Sequence, residues 1–305
     1  MHICFIALLF TLCCFHVSAQ RSATGFFVAP RINWAQEKLN WSIAGNDEGN
    51  NPNVLSELIW EELRGPQFEI ASGIQLFNKV YIRGALTYQR ITVGKVSDTD
   101  YADNNRGSPT AIFNLKANQG KTLNYRLGLF YQFWSNGRFS VMPHVEYFGR
   151  QQTLYMLDGE VPLIVGRELR STYRPSWNGA LVGVEIRYSR NRFILDYDIA
   201  VSRVMRYAAE ANWNLQDDFR QPVSFVHQAK GNGWETTLTA GYEINAAIRP
   251  FMHARYSHLL IGNGTDELYR ADGQVFTTQL NGVYSSGISV GAGIQFVWTK
   301  RSKRY

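Results

Sequence analysis

The residues best suited to acid–base chemistry are two aspartates separated by one position, Asp98 and Asp100, in a polar stretch that continues to Asn105. A carboxylate pair of this kind can share a proton and act as acid and base. The same oxygens, together with Asp103, can instead bind a hard cation, although the spacing of a calcium loop is not met. A third interpretation is an acidic surface loop in water, and the residues alone leave all three open.

Other side chains that support catalysis or metal binding are few. The three cysteines, Cys4, Cys13 and Cys14, all precede residue 20, so we expect neither disulfides nor thiolate chemistry in the mature chain. His253 has no second histidine or acidic residue at ligand spacing, which predicts a hydrogen-bonded interior histidine. We therefore expect no metal and no cofactor.

The N-terminus has the form of a secretory signal peptide. Residues 3–15 are almost all apolar, and a small-residue cleavage pattern, Val-Ser-Ala, ends at position 19. We predict a signal peptide at 1–19, an outer-membrane β-barrel at 20–298 and a basic C-terminal tail at 299–305. Such a tail can contact anionic lipid or the cell wall, or lack order.

Composition excludes several classes of protein. With 45% hydrophobic, 18% charged and 14% aromatic residues, the chain is neither disordered nor a disulfide scaffold. The formal net charge is +6, but the basic residues are scattered and accompany no nucleic-acid motif, so no nucleic-acid partner is expected. Mean hydropathy is −0.24. Beyond the first twenty residues no apolar run has the length of a membrane helix, whereas a barrel of alternating strands is allowed.

A two-residue alternation predicts the β-strands that must position these groups. Leu127, Leu129 and Tyr131 share one face of a strand, and Arg126 and Gly128 share the other. Two architectures fit such strands. A soluble β-sandwich turns the apolar face inward, and a membrane barrel turns it toward lipid.

Three features favour the barrel over the sandwich. Aromatic residues recur near strand ends, as an interfacial girdle requires. The expected connections alternate between short turns and long loops, the long ones at 46–53, 94–121, 157–172, 213–222 and 261–286. The signal peptide and the cysteine-free mature chain fit export through a periplasm.

The pattern predicts an all-β fold, a ten-stranded antiparallel transmembrane β-barrel. The expected strands are 23–45, 54–77, 80–93, 109–134, 138–156, 172–188, 192–212, 223–244, 247–260 and 287–298. Several are longer than the bilayer needs and are expected to project beyond it.

The inward face of these strands carries eleven charged residues. A barrel of about ten strands is only slightly wider than one filled by its own side chains. We therefore expect these residues to form an interior ion-pair network that plugs the lumen, with a proton or solute path as the alternative. They are Arg83, Arg126, Glu146, Glu185, Arg187, Asp196, Asp198, Glu235, Glu243, Arg249 and Arg255.

Two segments resemble the omptins, ten-stranded outer-membrane proteases of Gram-negative bacteria. Residues 54–60, Val-Leu-Ser-Glu-Leu-Ile-Trp, match the family's Ser-x-Leu-x-Trp strand start. Asp98-Thr99-Asp100 is similar to its catalytic Asp-x-Asp segment, and the order of strands and turns follows the family to Trp298.

The resemblance implies an omptin-like barrel and a mechanism in which this pair faces an Asp-x-His pair, with the histidine as general base for water. The matching stretch at 207–214 contains neither histidine nor aspartate. We therefore expect the omptin-like fold without its protease chemistry.

Three functions follow from this interpretation. The first is a structural or surface-interaction barrel in the outer membrane of a Gram-negative bacterium. The second is an aspartic-type endopeptidase that uses Asp98 and Asp100, with a base such as His227 or His258. The third is a narrow solute channel. The expected partners are outer-membrane lipid or lipopolysaccharide and an external ligand at the long loops, and the barrel is expected to be a monomer.

Overall fold

The computed structural model describes residues 25–160 and 162–299. The predicted signal peptide at 1–19 and all but Thr299 of the predicted basic tail lie outside the described residues. No helix in the described part of the chain is long and apolar enough to cross a membrane.

The described residues form fourteen antiparallel strands and one short 3-10 turn, Asn104–Arg106. The strands are β1 (Gly25–Ile43), β2 (Ser56–Phe77), β3 (Val80–Ile91), β4 (Val93–Asp103), β5 (Gly107–Lys116), β6 (Gly120–Tyr131), β7 (Trp134–Ser135), β8 (Phe139–Leu157), β9 (Arg170–Arg190), β10 (Phe193–Asn212), β11 (Phe225–Tyr242), β12 (Ile248–Ile261), β13 (Gly264–Tyr269) and β14 (Val275–Thr299).

The sheet closes on itself, because β1 pairs with β2 on one side and with β14 on the other. Strands β3 and β4 follow one another along β2 and form one barrel strand. In the same way β6 pairs with β3, and β5 pairs with β4. Strands β12 and β13 both lie between β11 and β14. With the two-residue β7 as an extension, the fourteen segments form ten barrel strands. The predicted ten-stranded antiparallel barrel is confirmed, and the sandwich is excluded.

The connections at the two rims differ in length. Short turns join β2 to β3, β9 to β10 and β11 to β12, and the short-turn rim also holds Gly25 and Thr299. Long loops at 44–55, 158–169 and 213–224 lie at the opposite rim.

Two predicted loops are wrong. Most of 94–121 forms β4 and β5, and 261–286 contains β13 and about the first half of β14, so the last strand begins at Val275 and not at 287. These segments are polar, but their strands pair with neighbours and extend the wall above the bilayer.

A band of exposed apolar side chains surrounds the half of the barrel near the short turns. Leu127 is 60% exposed, Val182 58% and Ile288 50%. Aromatic side chains flank the band, among them Tyr131 near the short turns and Tyr88 on the other side. In water this surface would be costly, and in a bilayer it is the expected lipid face with its aromatic girdle.

Above this band the two sides of the wall exchange character, and apolar side chains fill the interior. We call this group the aromatic core. Two β-bulges assist the exchange by shifting which positions face inward, at Glu61/Arg64 in β2 and at Val204/Tyr207 in β10. The fully buried large members are Leu39, Leu58, Trp60, Leu63, Ile91, Leu154, Met156, Leu169, Tyr173, Trp177, Tyr207 and Ile261. The expected plug of ion pairs alone is therefore wrong for this half of the barrel.

The lipid face predicts the cost of a misplaced charge. Leu127 lies midway along the apolar part of β6, so Leu127→Arg is expected to destabilise the barrel by about 2–4 kcal/mol in phospholipid vesicles. Equilibrium unfolding by denaturant measures this. The matched control is Gln151→Arg, at an exposed position of β8 beyond the band, where a change below about 0.5 kcal/mol is expected. Equal losses in both variants would contradict the assignment of the band.

Candidate functional site

The predicted aspartate pair lies on β4, above the apolar band. Asp98 stands opposite Leu58 of β2 and Phe113 of β5, and only 5% of it is exposed. Asp100 stands opposite Ser56 and is partly buried. The two side chains share the inner face of the strand because they are two residues apart. The interpretation of Asp98 as part of a solvated loop is therefore wrong.

Burial governs the chemistry of this pair. Burial, reinforced by the negative charge of Asp100, raises the pKa of Asp98 to about 7. Burial also raises the pKa of Asp100. One oxygen of Asp98 (Oδ1) has no hydrogen-bond partner among the described residues. Near neutral pH the pair can therefore hold a proton, as an acid–base catalyst must.

The two candidate bases, His227 and His258, have other surroundings. His258 lies on the outer wall of the barrel, opposite Trp234. His227 lies inside, but its ring nitrogens face Tyr173 and Asp266. In the described residues, no hydrogen bond or ion pair joins Asp98 or Asp100 to a histidine. The part of the chain described also contains no group of three or more metal-ligating side chains.

A buried polar chain that the sequence did not indicate runs through the aromatic core. The Tyr207 and Tyr173 hydroxyls are 2.5 Å apart, and Tyr173 lies 2.8 Å from Nδ1 of His227. Nε2 of His227 faces the Asp266 carboxylate at 3.1 Å, and Thr278 donates to the other Asp266 oxygen. We call these residues the tyrosine–histidine chain.

The direction of the chain follows from its acidic end. We assign the imidazole hydrogen to Nε2, which faces the Asp266 carboxylate, so Nδ1 accepts from Tyr173. Tyr173 in turn accepts from Tyr207. Burial raises the pKa of both tyrosines, which keeps both hydroxyls protonated as donors. Trp60 stacks on Tyr173 at 5.4 Å between ring centroids.

The alternation in the sequence could have indicated that Tyr173, His227 and Asp266 face inward, since each occupies an inner position of its strand. It could not indicate that they meet. Tyr207 was harder still to place, because it follows the bulge in β10.

The charged residues predicted for the interior lie in the membrane half, and each has a partner of opposite charge. Two of the pairs are bidentate, Arg126–Glu235 and Arg187–Asp196, at 2.6 Å for their shorter contacts. The other pairs are Arg83–Glu185, Arg249–Glu243, Arg255–Glu69, His144–Glu146 and His144–Asp198.

Sequence reasoning missed five members of this network: Arg31, Glu37, Glu69, His144 and Arg150. Glu37 accepts hydrogen bonds from Thr122 and Gln152 and pairs with Arg150 at 3.0 Å. Each of the five occupies an inward position of its strand, so a full count of the alternation in β1, β2 and β8 would have found them. His253, predicted as a hydrogen-bonded interior residue, lies 2.7 Å from Asn33.

Two cavities lie among these charged side chains in the described residues. The larger, of about 360 Å³, reaches the short-turn rim at Gly25 and Thr299. The smaller, of about 80 Å³, lies nearer the middle of the barrel beside Glu37 and Arg150. Arg126 lines both cavities.

Comparison with known proteins identifies both a family and a fold. A family model described as "Pom: Protochlamydia outer membrane protein" matches residues 31–297. No curated protein sequence matches the chain.

Among solved structures, the outer membrane protease OmpT from Escherichia coli has a TM-score of 0.72 and 12% sequence identity, covering 92% of this chain and 99% of OmpT. The translocator domain of the autotransporter NalP from Neisseria meningitidis has a TM-score of 0.39 and 7% identity, covering 92% and 90% of the two chains. At these identities the likeness to OmpT concerns the fold alone.

The raised pKa of Asp98 makes a prediction for stability. In the unfolded chain this carboxyl ionises near its ordinary pKa of 3.8, and in the folded chain near 7. As pH rises through this window, the unfolded state loses its proton first, so this residue makes folding less favourable. Asp98→Asn has no ionisable group at this position and so does not lose stability in this way as pH rises. The variant is expected to gain about 2–4 kcal/mol over the parent chain between pH 4 and pH 8.

Denaturant unfolding at both pH values measures this difference. Asp47→Asn, at an exposed loop position, is the matched control and is expected to follow the parent chain. A stability difference between Asp98→Asn and the parent that does not change with pH would overturn the assignment.

The tyrosine–histidine chain predicts that Tyr→Phe substitutions differ in the folding stability they remove. Tyr173→Phe leaves the Tyr207 hydroxyl and Nδ1 of His227 without partners in an apolar interior, at a cost of about 1–3 kcal/mol beyond any loss of packing. Tyr207→Phe removes only the first donor and is expected to cost less. Tyr256→Phe, on the outer wall, is the control. Equal losses for Tyr173→Phe and Tyr207→Phe in thermal unfolding would contradict the chain.

Proposed function

The chain belongs to the Protochlamydia outer membrane protein family, and from this premise we propose that it is a structural or surface-interaction barrel of the outer membrane with no peptidase activity. The observation that carries the proposal is the aromatic core, which occupies the interior above the bilayer. A peptide could reach Asp98 only by displacing the side chains that bury it, because only 5% of Asp98 is exposed.

Chemistry supports the same conclusion. Hydrolysis of an amide by water needs a base within hydrogen-bond reach of that water. Asp98 and Asp100 supply carboxyl groups that can hold a proton. Neither is paired with a histidine in the described residues, and His227 is bound into the tyrosine–histidine chain.

Export and partners form part of this proposal. The signal peptide at 1–19 directs the chain to the outer membrane of a Gram-negative bacterium, where it acts as a monomer. An external ligand binds the long loops. Lipopolysaccharide or another anionic lipid contacts Arg90 and Lys121, which lie directly opposite each other on the outer face just beyond the aromatic girdle. Two like charges so placed repel each other unless an anion lies between them.

The cavities favour a second candidate function, a narrow solute channel. They provide a polar path from the short-turn rim to Glu37. Conduction would then require the aromatic core to move aside as a gate.

A peptidase assay tests the first candidate. The full chain, refolded with lipopolysaccharide, is expected to leave a dibasic peptide intact under conditions in which an active omptin cleaves it. Cleavage that disappears in both Asp98→Ala and Asp100→Ala would overturn the proposal in favour of the endopeptidase.

Single-channel recording in planar bilayers separates the structural barrel from the channel. The parent chain is expected to be silent, because the aromatic core closes the lumen. Trp60→Ala removes a fully buried core side chain, and Trp298→Ala, at the lipid face, is the matched control. Discrete conductance in the parent chain that grows in Trp60→Ala and not in Trp298→Ala would establish the channel instead.

A further inference from the structure

The larger cavity is a pocket at the short-turn rim. It opens between the barrel strands at the short-turn rim, where Gly25 and Thr299 line it, and extends inward as far as Arg126. The aromatic core lies beyond, toward the long loops. In outer-membrane barrels the short turns face the periplasm, so a ligand enters this pocket from that side.

One wall of the pocket carries an excess positive charge. Arg31 on β1 and Arg255 on β12 both contact the single carboxylate of Glu69, at 3.2 and 3.4 Å. Two guanidinium groups around one carboxylate leave one positive charge uncompensated. Nε of Arg31 also has no hydrogen-bond partner in the described part of the chain.

Another wall carries an excess negative charge. The ring nitrogens of His144 on β8 face Glu146 and Asp198, at 3.0 and 2.8 Å. Because two carboxylates lie within ion-pair distance of the ring, this arrangement favours the imidazolium form. One imidazolium between two carboxylates leaves one negative charge uncompensated.

The remaining charges around the pocket cancel locally. Arg126 pairs with Glu235, and Arg249 pairs with Glu243. Arg83 and Arg187 together balance Glu185 and Asp196. The two uncompensated charges are therefore the principal unbalanced groups that a ligand would meet.

The two uncompensated charges lie on opposite walls. The order of barrel strands around the pocket is β1, β2, β3, β6, β8, β9, β10, β11, β12 and β14. The positive group belongs to β12, β1 and β2, centred near β1. The negative group belongs to β8 and β10, centred on β9, which is five places from β1 in a ring of ten.

We propose that this pocket binds a small zwitterion whose ammonium and carboxylate groups are separated by several bonds, such as a short peptide or an ω-amino acid. The carboxylate lies against Arg31 and Arg255, and the ammonium group lies against Glu146 and Asp198. Both contacts form in a cavity of about 360 Å³ inside the membrane half of the barrel, where water screens charges less than at a surface. This inference goes beyond the proposed function and does not depend on the absence of peptidase activity.

The separation of the charges sets the specificity. Free glycine holds its two charges on adjacent carbons and cannot reach both walls at once. Triglycine and 6-aminohexanoate can, because their charges are several bonds apart. A ligand with only one of the two charges leaves the opposite wall uncompensated.

The test uses the full chain refolded in detergent micelles, with binding measured by saturation-transfer NMR and calorimetry. Triglycine and 6-aminohexanoate are expected to bind in a saturable manner. N-acetyl-triglycine lacks the ammonium group, triglycine amide lacks the carboxylate, and glycine lacks the separation between the two charges. Each is expected to bind at least about ten-fold more weakly than triglycine, a difference of about 1.4 kcal/mol. Equal affinity for triglycine and its two single-charge derivatives, or no saturable binding of either zwitterion, would overturn the proposal.

Variants locate the binding site within the pocket. Arg31→Gln and Asp198→Asn each remove one wall's excess charge and are expected to weaken triglycine binding by about ten-fold or more. Lys79→Gln makes the same change as Arg31→Gln at an exposed position of a short turn and is expected to leave affinity unchanged. Equal affinity in all three folded variants would refute the site, and if Arg31→Gln or Asp198→Asn fails to fold, the ligand series on the parent chain decides alone.

Discussion

A peptide group in hydrocarbon has no water to bond with, and this requirement determines the architecture of the whole molecule. Each strand must find partners on both sides, and the only sheet that gives every strand two neighbours is a closed one. The pairing of β1 with β14, from Gly25 opposite Thr299 to Ile43 opposite Leu280, satisfies that condition. The exposed apolar band, the girdle and the enclosed polar residues all follow from placing such a ring in a bilayer.

The interior is divided because the surroundings of the wall change along its length. Where lipid lies outside, the outward positions are apolar and the inward ones carry charges that must pair with one another. Beyond the bilayer, water lies outside, so the outward positions become polar and the interior can be apolar, as in a soluble protein. Strand β1 shows the change on one face, since its inward residues pass from Asn33 and Glu37 to Leu39 and Trp41.

The sequence was sufficient for the membrane half and insufficient for the rest. In the membrane half the period of two is unbroken, so Arg126 and Leu127 could be assigned to opposite faces. Above the band, the bulge near Glu62 moves the inward set of β2 from Leu58 and Trp60 to Leu63. A single-residue insertion leaves no distinct signal in residue types, so the alternation does not predict the aromatic core. Residues 94–121 are polar, and this composition predicts a loop although the segment pairs as strands. The tyrosine–histidine chain could not be predicted from the alternation for another reason, because it joins residues on four barrel strands that are distant in sequence.

The seam between β1 and β14 also dictates the timing of assembly. Its two sides are the first and last of the described strands, separated by more than two hundred residues. Contacts at so long a separation form late and slowly, and here the second side is made more than two hundred residues after the first. The barrel therefore cannot close before β14 has been made, and until it closes the sheet has two unpaired edges.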